Sequence, residues 1–383
     1  MSYLRRLSTR SLIVLVVGVL ALAGGAAIAV AAGGGGPTPA PKPLDQAIHD
    51  ALAAPNPEGV TARVVFTNKL FPSGALLGGQ VGSALLSGAS GRLWLAADGR
   101  GRIELQSNAG DVQIVWNNTT LSVFDASSNT VYRADLPAGS STTDQGTSPT
   151  LAAIDKFLAD FGAHWAVSAA RPVDVGGQPA YSASVSPKHD GGLLGSVELA
   201  WDALHGAPLR AGVYAQGSSS PALELAVSQI SYGAVPASDV DVAPPAGAKV
   251  VDLSAASQAG NGSSTPAVTG LAAVQAAAGF PVVAPDTLVG LPRQDVRLVG
   301  GDTALVLYGQ GLGGIALVER KADASSGSSA LSGLPTVSLD GLTAHELATQ
   351  LGTVLEWQSQ GTGYVLAGSL PPAAAEAAAR AVK

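Results

Sequence analysis

The sequence predicts an α+β protein: an antiparallel sheet accompanied by helices, followed by a smaller C-terminal α+β domain. Three observations predict this architecture. Short runs with a two-residue hydrophobic period fill residues 61–136 and 165–232, and glycine- and asparagine-containing turns separate them. Helical patterns with apolar residues on one side cover about 44–52 and 149–161. A polar segment at 254–267 then precedes a second group of helices and strands.

Composition and hydropathy divide the chain of 383 residues into successive parts. The segment 33–43 reads GGGGPTPAPKP, which is typical of a flexible and then proline-stiffened linker. The predicted parts are a cytoplasmic tail at 1–10, a transmembrane helix at 11–32, a linker at 33–43, a strand-rich domain at 44–253, a linker at 254–267 and a C-terminal α+β domain at 268–383.

The N-terminus predicts the compartment. Three arginines lie within the first ten residues and precede the uncharged run Ser11–Ala32, and no charge follows until Lys42. About 20 apolar residues span a bilayer as a helix, and flanking arginines favour the cytoplasmic side. We therefore expect a single-pass protein of the cell membrane, with a cytoplasmic N-terminus and extracytoplasmic main domains. A signal peptide cleaved near Ala29 is the alternative.

The strands of the first domain have one apolar and one polar face. Apolar residues alternate along the runs GRLWLAA, GRIELQS and DVQIVWNN, while charged and amide side chains occupy the intervening positions. One segment, Leu70–Gly88, breaks this pattern because it is apolar, glycine-rich and uncharged. It is too long and too apolar for an ordinary hairpin loop, so we interpret it as a mobile apolar flap.

Such a flap needs an apolar surface to cover, and the sheet face below it supplies one. All five tryptophans fall in strand-like runs, where they either pack the sheet or line an apolar cavity. The candidate ligand-cavity residues are Leu76, Leu77, Val81, Leu85, Leu86, Leu93, Leu95, Ile103, Leu105, Ile114, Trp116 and Trp201.

The stretch WDALHGAPLR places an Asp, a His and an Arg close together, as an active site would. Asp202, Gly206 and Pro208 are turn residues between two alternating runs, so a hairpin with His205 at its tip is predicted instead. The other four histidines are solitary and lack metal-ligand spacing. The glycine-rich 309–314 follows a strand but precedes another strand, which favours a turn over a phosphate loop.

These observations predict no catalytic residue, no metal and no cofactor, and hence no enzyme. Cysteine is absent, so thiolate chemistry and disulfides are excluded. The net charge of −7 is spread along the chain without a basic stripe, which argues against nucleic acid as a partner.

The second domain is predicted to mix helices and strands. A helix at Leu271–Ala278 precedes three strand-like runs. Thr343 and Glu346 form a capping-box pattern that predicts a helix ending at Gly352. A hairpin then leads to an alanine-rich helix from Pro372.

The meander SGRLWLAADGRGRIEL…VWNNTTLSVFDASSNTVYRADLP, with the later WDALHGAPLR…ELAVSQISYGAVPASDVDVAPPAGAKV, resembles the periplasmic lipoprotein-carrier superfamily. It is most similar to the membrane-anchored versions of high-GC Gram-positive bacteria, over about Leu44–Leu253. The C-terminal unit resembles a domain of unknown function found behind such carriers and behind extracytoplasmic regulators of sigma factors. The resemblance implies a half-barrel with helices as a lid over an apolar cavity. Members carry lipoproteins or lipids, or sense them and regulate anti-sigma factors.

The expected function is therefore an anchored extracytoplasmic binding or carrier protein for a lipid or acylated ligand. Burial of an acyl chain contributes about 0.8 kcal/mol per CH₂ group, so one long chain offers on the order of 10 kcal/mol before ordering costs. The alternative is a sensory or regulatory module that binds another envelope protein and takes no acyl ligand.

Overall fold

The computed structural model describes residues 37–70, 84–136, 149–189, 191–252, 268–322 and 334–382. Its described elements fall into two compact units, each built around one sheet. Both sheets are open and mainly antiparallel, and β13 pairs with β6 in parallel. The predicted α+β fold with an open antiparallel half-barrel is confirmed. The predicted interdomain linker, 254–267, lies outside the described ranges.

The first unit has a 13-stranded sheet. Its order is β13-β6-β5-β4-β3-β2-β1-β12-β11-β10-β9-β7, with β8 paired to β9. The elements are α1 (Leu44–Ala53), β1 (Gly59–Asn68), α2 (Ala84–Ser87), β2 (Ala89–Ala96), β3 (Gly101–Ser107), β4 (Gly110–Trp116), β5 (Thr120–Asp125), β6 (Thr130–Asp135), α3 (Leu151–Phe161), β7 (Trp165–Val167), β8 (Arg171–Val175), β9 (Gln178–Pro187), β10 (Leu194–Asp202), β11 (Pro208–Ala215), β12 (Pro221–Tyr232), α4 (Ala237–Val240) and β13 (Lys249–Asp252).

The pairing of β1 with β12 joins two halves of this sheet that are distant in sequence. The two strands are antiparallel from Val60 opposite Tyr232 to Asn68 opposite Leu223, with a bulge between Arg63 and Val64. Strands β2–β6 then extend from one side of β1 as consecutive hairpins, and β11, β10 and β9 extend from β12. The period-two pattern predicted these strands because each has one face that must be buried.

The second unit has an eight-stranded sheet of order β14-β15-β16-β17-β21-β20-β19-β18. Its core contains Leu317, Leu355 and Leu366, which are fully buried. The elements are α5 (Leu271–Ala277), β14 (Thr287–Leu288), β15 (Leu291–Val299), β16 (Thr303–Tyr308), β17 (Ile315–Lys321), β18 (Thr336–Leu339), β19 (Leu342–Thr349), β20 (Gly352–Ser359), β21 (Thr362–Gly368) and α6 (Pro372–Ala381), with one 3₁₀ turn at Gly311–Gly313.

The predicted helix from the capping box at Thr343 and Glu346 is wrong. These residues lie in β19, which pairs with β18 on one side and β20 on the other. Asp340 and Gly341 both have positive φ and form the tight turn that starts this hairpin, as is usual for Asp-Gly. Pairing on both edges overrides the local helix signal, because each strand edge satisfies a row of backbone groups.

The predicted helix at 149–161 is confirmed, but it begins later than expected. Thr150 is the N-cap, and its side chain accepts a hydrogen bond from the backbone N–H of Ala153. Only Ile154 of this helix is buried.

The predicted single-pass membrane localisation is corrected. The predicted transmembrane segment, 11–32, lies outside the described ranges. Within those ranges no helix is both long and apolar enough to cross a bilayer. The longest, α3, has 11 residues, whereas a spanning helix needs about 20.

Candidate functional site: the apolar face of the first sheet

The candidate site is the buried side of strands β1–β5 and β12, called here the apolar face. Its most buried side chains are 1–8% exposed and pack into a single cluster. They are Ala62, Val64, Phe66, Ile103, Leu105, Val112, Trp116 and Leu121, with Ala84 of α2. Helix α2 lies on this face, against β1, β3 and β4.

Strand register arranges the apolar face as rows that run across the sheet. One row crosses six strands without a polar side chain: Ile230, Ala62, Leu93, Ile103, Ile114 and Val123 are successive cross-strand partners. Directly opposed side chains in antiparallel strands are about 4.5–5.5 Å apart at Cβ, so such a row is continuous. At about 4.8 Å per strand, six strands make a row on the order of 24 Å long.

In a neighbouring row, one position is a glycine and carries no side chain. This row contains Val227, Val64, Gly91, Leu105 and Val112. A Cβ added to Gly91 would lie 1.7 Å from the carbonyl oxygen of Glu104, so the backbones approach too closely for any side chain there.

Trp116 is held on the apolar face by contacts at both ends of its side chain. Its indole N–H donates a hydrogen bond of 3.1 Å to the carbonyl oxygen of Gly99. Its ring covers its cross-strand partner Gly101, where an added Cβ would lie 2.1 Å from the indole. A bulky ring thus fills the gap that a glycine leaves in a strand, and Trp116 forms a fixed wall of the site.

Seven of the predicted cavity residues come together on the apolar face. They are Leu85, Leu93, Leu95, Ile103, Leu105, Ile114 and Trp116. Leu86 is half-buried in α2 and is not part of this cluster. Leu76, Leu77 and Val81 lie outside the described ranges.

The remaining predicted residue, Trp201, packs elsewhere. Its ring lies 6.3 Å from that of Tyr181, and both belong to a cluster with Ala47 of α1. The tyrosine hydroxyl donates to the carbonyl oxygen of Ala40, which ties the segment before α1 to this cluster. Trp201 therefore secures a helix to the sheet.

The sequence prediction missed the contribution of β1 and β12 to the apolar face. Ala62, Val64 and Phe66 are buried, and Leu225 and Val227 pack against the same cluster. The alternation in TARVVFTN contained the signal for β1, since every second residue is apolar. The pairing of β1 with a strand some 160 residues later carries no local signal.

The WDALHGAPLR stretch forms the predicted hairpin turn between β10 and β11. Asp202 is fully buried and uses its oxygens to stabilise the turn: Oδ1 accepts from the backbone N–H groups of Leu204 at 2.7 Å and His205 at 2.9 Å. Oδ2 accepts from the hydroxyl of Tyr232 at 2.7 Å. Burial favours a higher pKa for Asp202, but these hydrogen bonds outweigh it and lower the pKa below its usual value.

His205 is part of this turn and is only partly solvated. Its ring stacks on Tyr232 with centroids 3.8 Å apart, and its Nδ1 lies 3.3 Å from Asp202 Oδ1. Burial and the hydrogen bond to Asp202 raise the pKa of the Tyr232 hydroxyl, which therefore remains a donor at all ordinary pH values. The side-chain hydrogen bonds and the ring contact described for this Asp–His–Tyr group are made with the turn or within the group, which is the arrangement of a structural cap.

No metal centre is formed by the described residues, because no group of three or more potential ligand side chains gathers there. The apolar face can exclude water and contact an apolar molecule along a row of side chains, because its side chains are apolar and packed together.

Comparisons with known proteins show likeness of fold. No protein-family model matches the chain, and no curated protein matches it. Among solved structures, it is similar to the complex of Pseudomonas aeruginosa MucA/MucB, at 16% identity over 87% of this chain and 95% of that chain, with a TM-score of 0.42. It is also similar to a putative outer membrane lipoprotein-sorting protein domain from Vibrio parahaemolyticus, at 12% identity over 51% of this chain and 95% of that chain, with a TM-score of 0.24.

A LolA superfamily protein from Nitrosomonas europaea is a further match, at 10% identity over 85% of this chain and 90% of that chain, with a TM-score of 0.19. Solved structures of the lipoprotein-carrier superfamily are thus among the matches, as the sequence resemblance predicted. At these identities and TM-scores the likeness concerns fold alone.

Proposed function

We propose that this chain is a binding or carrier protein, without enzymatic activity, which takes a lipid or acylated ligand on the apolar face of its first unit. The observation that carries the proposal is the uninterrupted apolar row from Ile230 to Val123. An extended acyl chain is a linear apolar object of the same length scale, and it needs no polar partner along its length.

Helix α2 is the element with which such a ligand would compete. Ala84 is fully buried on the apolar face and Leu85 packs beside it, yet the helix has only four residues. A helix this short has little stability of its own, because its residues make few internal hydrogen bonds. An acyl chain that replaced Leu85 would regain the apolar contacts that the displaced helix loses.

A protein partner is the second candidate, and a different surface favours it. Helix α3 leaves Phe157 58% exposed and Leu151 42% exposed. The rings of Phe157, Phe161 and Trp165 form a continuous stack with centroid separations of 5.6 and 5.8 Å. Exposed aromatic surface of this kind is enriched at protein interfaces. Under this proposal the partner is another protein of the cell envelope.

The two proposals separate in a titration with a fluorescent long-chain fatty acid. Leu85→Asp places a carboxylate beside the apolar face and is expected to weaken binding at least tenfold, since burying an unpaired charge is costly. The control is Leu204→Asp, at a leucine of the same unit that is 68% exposed in the β10–β11 turn; it should bind like the wild type.

Phe157→Ser is the third variant, and it should leave fatty-acid binding unchanged. Circular dichroism of all three variants checks that the sheet is intact. Absence of binding by the wild type, or equal binding by Leu85→Asp and wild type, would overturn the acyl-ligand proposal.

A further inference from the structure

The second unit contains a carboxyl group in the middle of its hydrophobic core. Glu319 lies on the central strand β17 and is 0% exposed. It belongs to a cross-strand row of buried side chains, in which its neighbours are Ala304 on β16 and Tyr364 on β21, followed by Trp357 and Ala344. Glu319 is the only acidic residue of this row.

One oxygen of this carboxyl group holds a neighbouring segment on the sheet. Glu319 Oε2 accepts a hydrogen bond of 2.9 Å from the backbone N–H of Val283. Val283 lies in residues 279–286, called here the connector, which leads from α5 to β14. Two other side chains hold the connector through backbone carbonyls: Gln275 donates to Val282, and Arg293 donates to Ala284.

The other oxygen, Oε1, is buried and has no hydrogen-bond partner among the described residues. A neutral carboxyl group leaves only one polar group unsatisfied in this position, whereas a carboxylate would carry a full charge with a single compensating N–H. Burial accordingly raises the pKa of Glu319 from its usual 4.5 to about 7, and the Val283 hydrogen bond offsets only part of that effect.

The surrounding titratable groups do not compensate the charge. Tyr364 and Tyr308 are the tyrosines whose pKa the charge of Glu319 raises. For Tyr364, burial is the larger cause and the charge of Glu319 the smaller one, so this phenol stays neutral. Arg293, which also donates to the carbonyl of Ala284, forms an ion pair of 2.8 Å with Asp286 on the connector. The buried hydroxyl of Tyr308 has no hydrogen-bond partner in the part of the chain that the structure describes, and burial raises its pKa to about 12.

We propose that Glu319 is a proton-sensitive contact, which holds the connector on the second sheet when it is neutral and releases it more readily after losing its proton. Opening of the connector admits water to Oε1 and returns the carboxyl group to an ordinary environment. The closed form therefore binds the proton more tightly than the open form. Protonation stabilises the closed form most below about pH 4.5, and this stabilisation is lost as the pH rises through about 7.

Hydrogen exchange of the full chain, measured by mass spectrometry between pH 5 and 8.5, tests this inference. After correction for intrinsic exchange rates, protection of the connector amides should fall roughly 40-fold between pH 5 and 7 and should level off above about pH 8, because the carboxyl pKa is 4.5 in the open form and about 7 in the closed form. Glu319→Gln keeps an acceptor for Val283 but cannot ionise, so its protection should not change with pH.

Asp302→Asn removes an exposed carboxylate in the β15–β16 turn and serves as the matched control, which should follow the wild-type curve. A wild-type protection that stays constant from pH 5 to 7 would overturn the inference, as would an equal pH dependence in Glu319→Gln. If Glu319→Gln does not fold, the wild-type curve alone decides. Peptides from β3 of the first unit provide the internal reference.

Discussion

Removal of the Tyr232 hydroxyl tests whether the Asp202 group is a structural cap. In Tyr232→Phe the ring remains in place against His205, but Asp202 Oδ2 loses its donor at 2.7 Å. The carboxylate is fully buried and keeps the two backbone N–H groups that bind Oδ1, with the His205 ring beside them. Hydrogen bonds to charged groups contribute about 1.5–3 kcal/mol, so the free energy of unfolding of the first unit should fall by that amount at pH 7.

The pH dependence of this loss has a definite sign. Because the pKa of Asp202 is lowered in the folded state, its ionisation stabilises the fold above the usual aspartate value of 3.8, and this contribution is lost as the pH falls through the lower folded value. Tyr232→Phe removes one cause of the lowering. The deficit relative to wild type should therefore be largest near neutral pH and should shrink below about pH 4.

Urea denaturation followed by tryptophan fluorescence measures the loss, because four of the five tryptophans lie in the first unit. Tyr132→Phe is the control, since this tyrosine of β6 is 39% exposed, and it should change the free energy by less than about 0.5 kcal/mol. The reasoning is refuted if Tyr232→Phe is as stable as Tyr132→Phe, or if its deficit grows on acidification.

Two further substitutions test the packing of the apolar face. Leu105→Ala should lower the free energy of unfolding by about 2–5 kcal/mol, because Leu105 is 3% exposed within the cluster. The control is Leu199→Ala, at a 40% exposed position of β10, which should lower it by less than half as much. Equal losses in urea denaturation would contradict the described burial. Gly91→Ala should prevent normal pairing of β2 with β3, because its Cβ would overlap the Glu104 carbonyl. The control is Gly233→Ala, where a Cβ has free space, and this variant should melt like the wild type. A soluble Gly91→Ala with an unchanged melting temperature would contradict the prediction, because it would show that the strands can separate without cost.

The positions of most strands and turns in the first unit were predictable from the sequence. Residues such as Leu93 and Ile103 alternate with polar neighbours, and a strand with one buried face requires this alternation. The hairpin around His205 was predictable for a similar local reason, since Asp202 and Gly206 suit a tight turn. The stacking of His205 on Tyr232 was not predictable, because it joins a turn residue to a strand that comes later in the sequence.

Local signals alone determined the strand periodicity, the turns and most helix positions of this protein, because they depend on the conformational preferences of neighbouring residues. Tertiary structure alone decided the fate of Thr343–Glu346, whose capping-box pattern yields to pairing on both edges of β19. It also placed Trp201 against α1 and buried Glu319 beside Tyr364. These outcomes depend on which distant strands pair and which faces lose water, and a single sequence read residue by residue does not encode that choice locally.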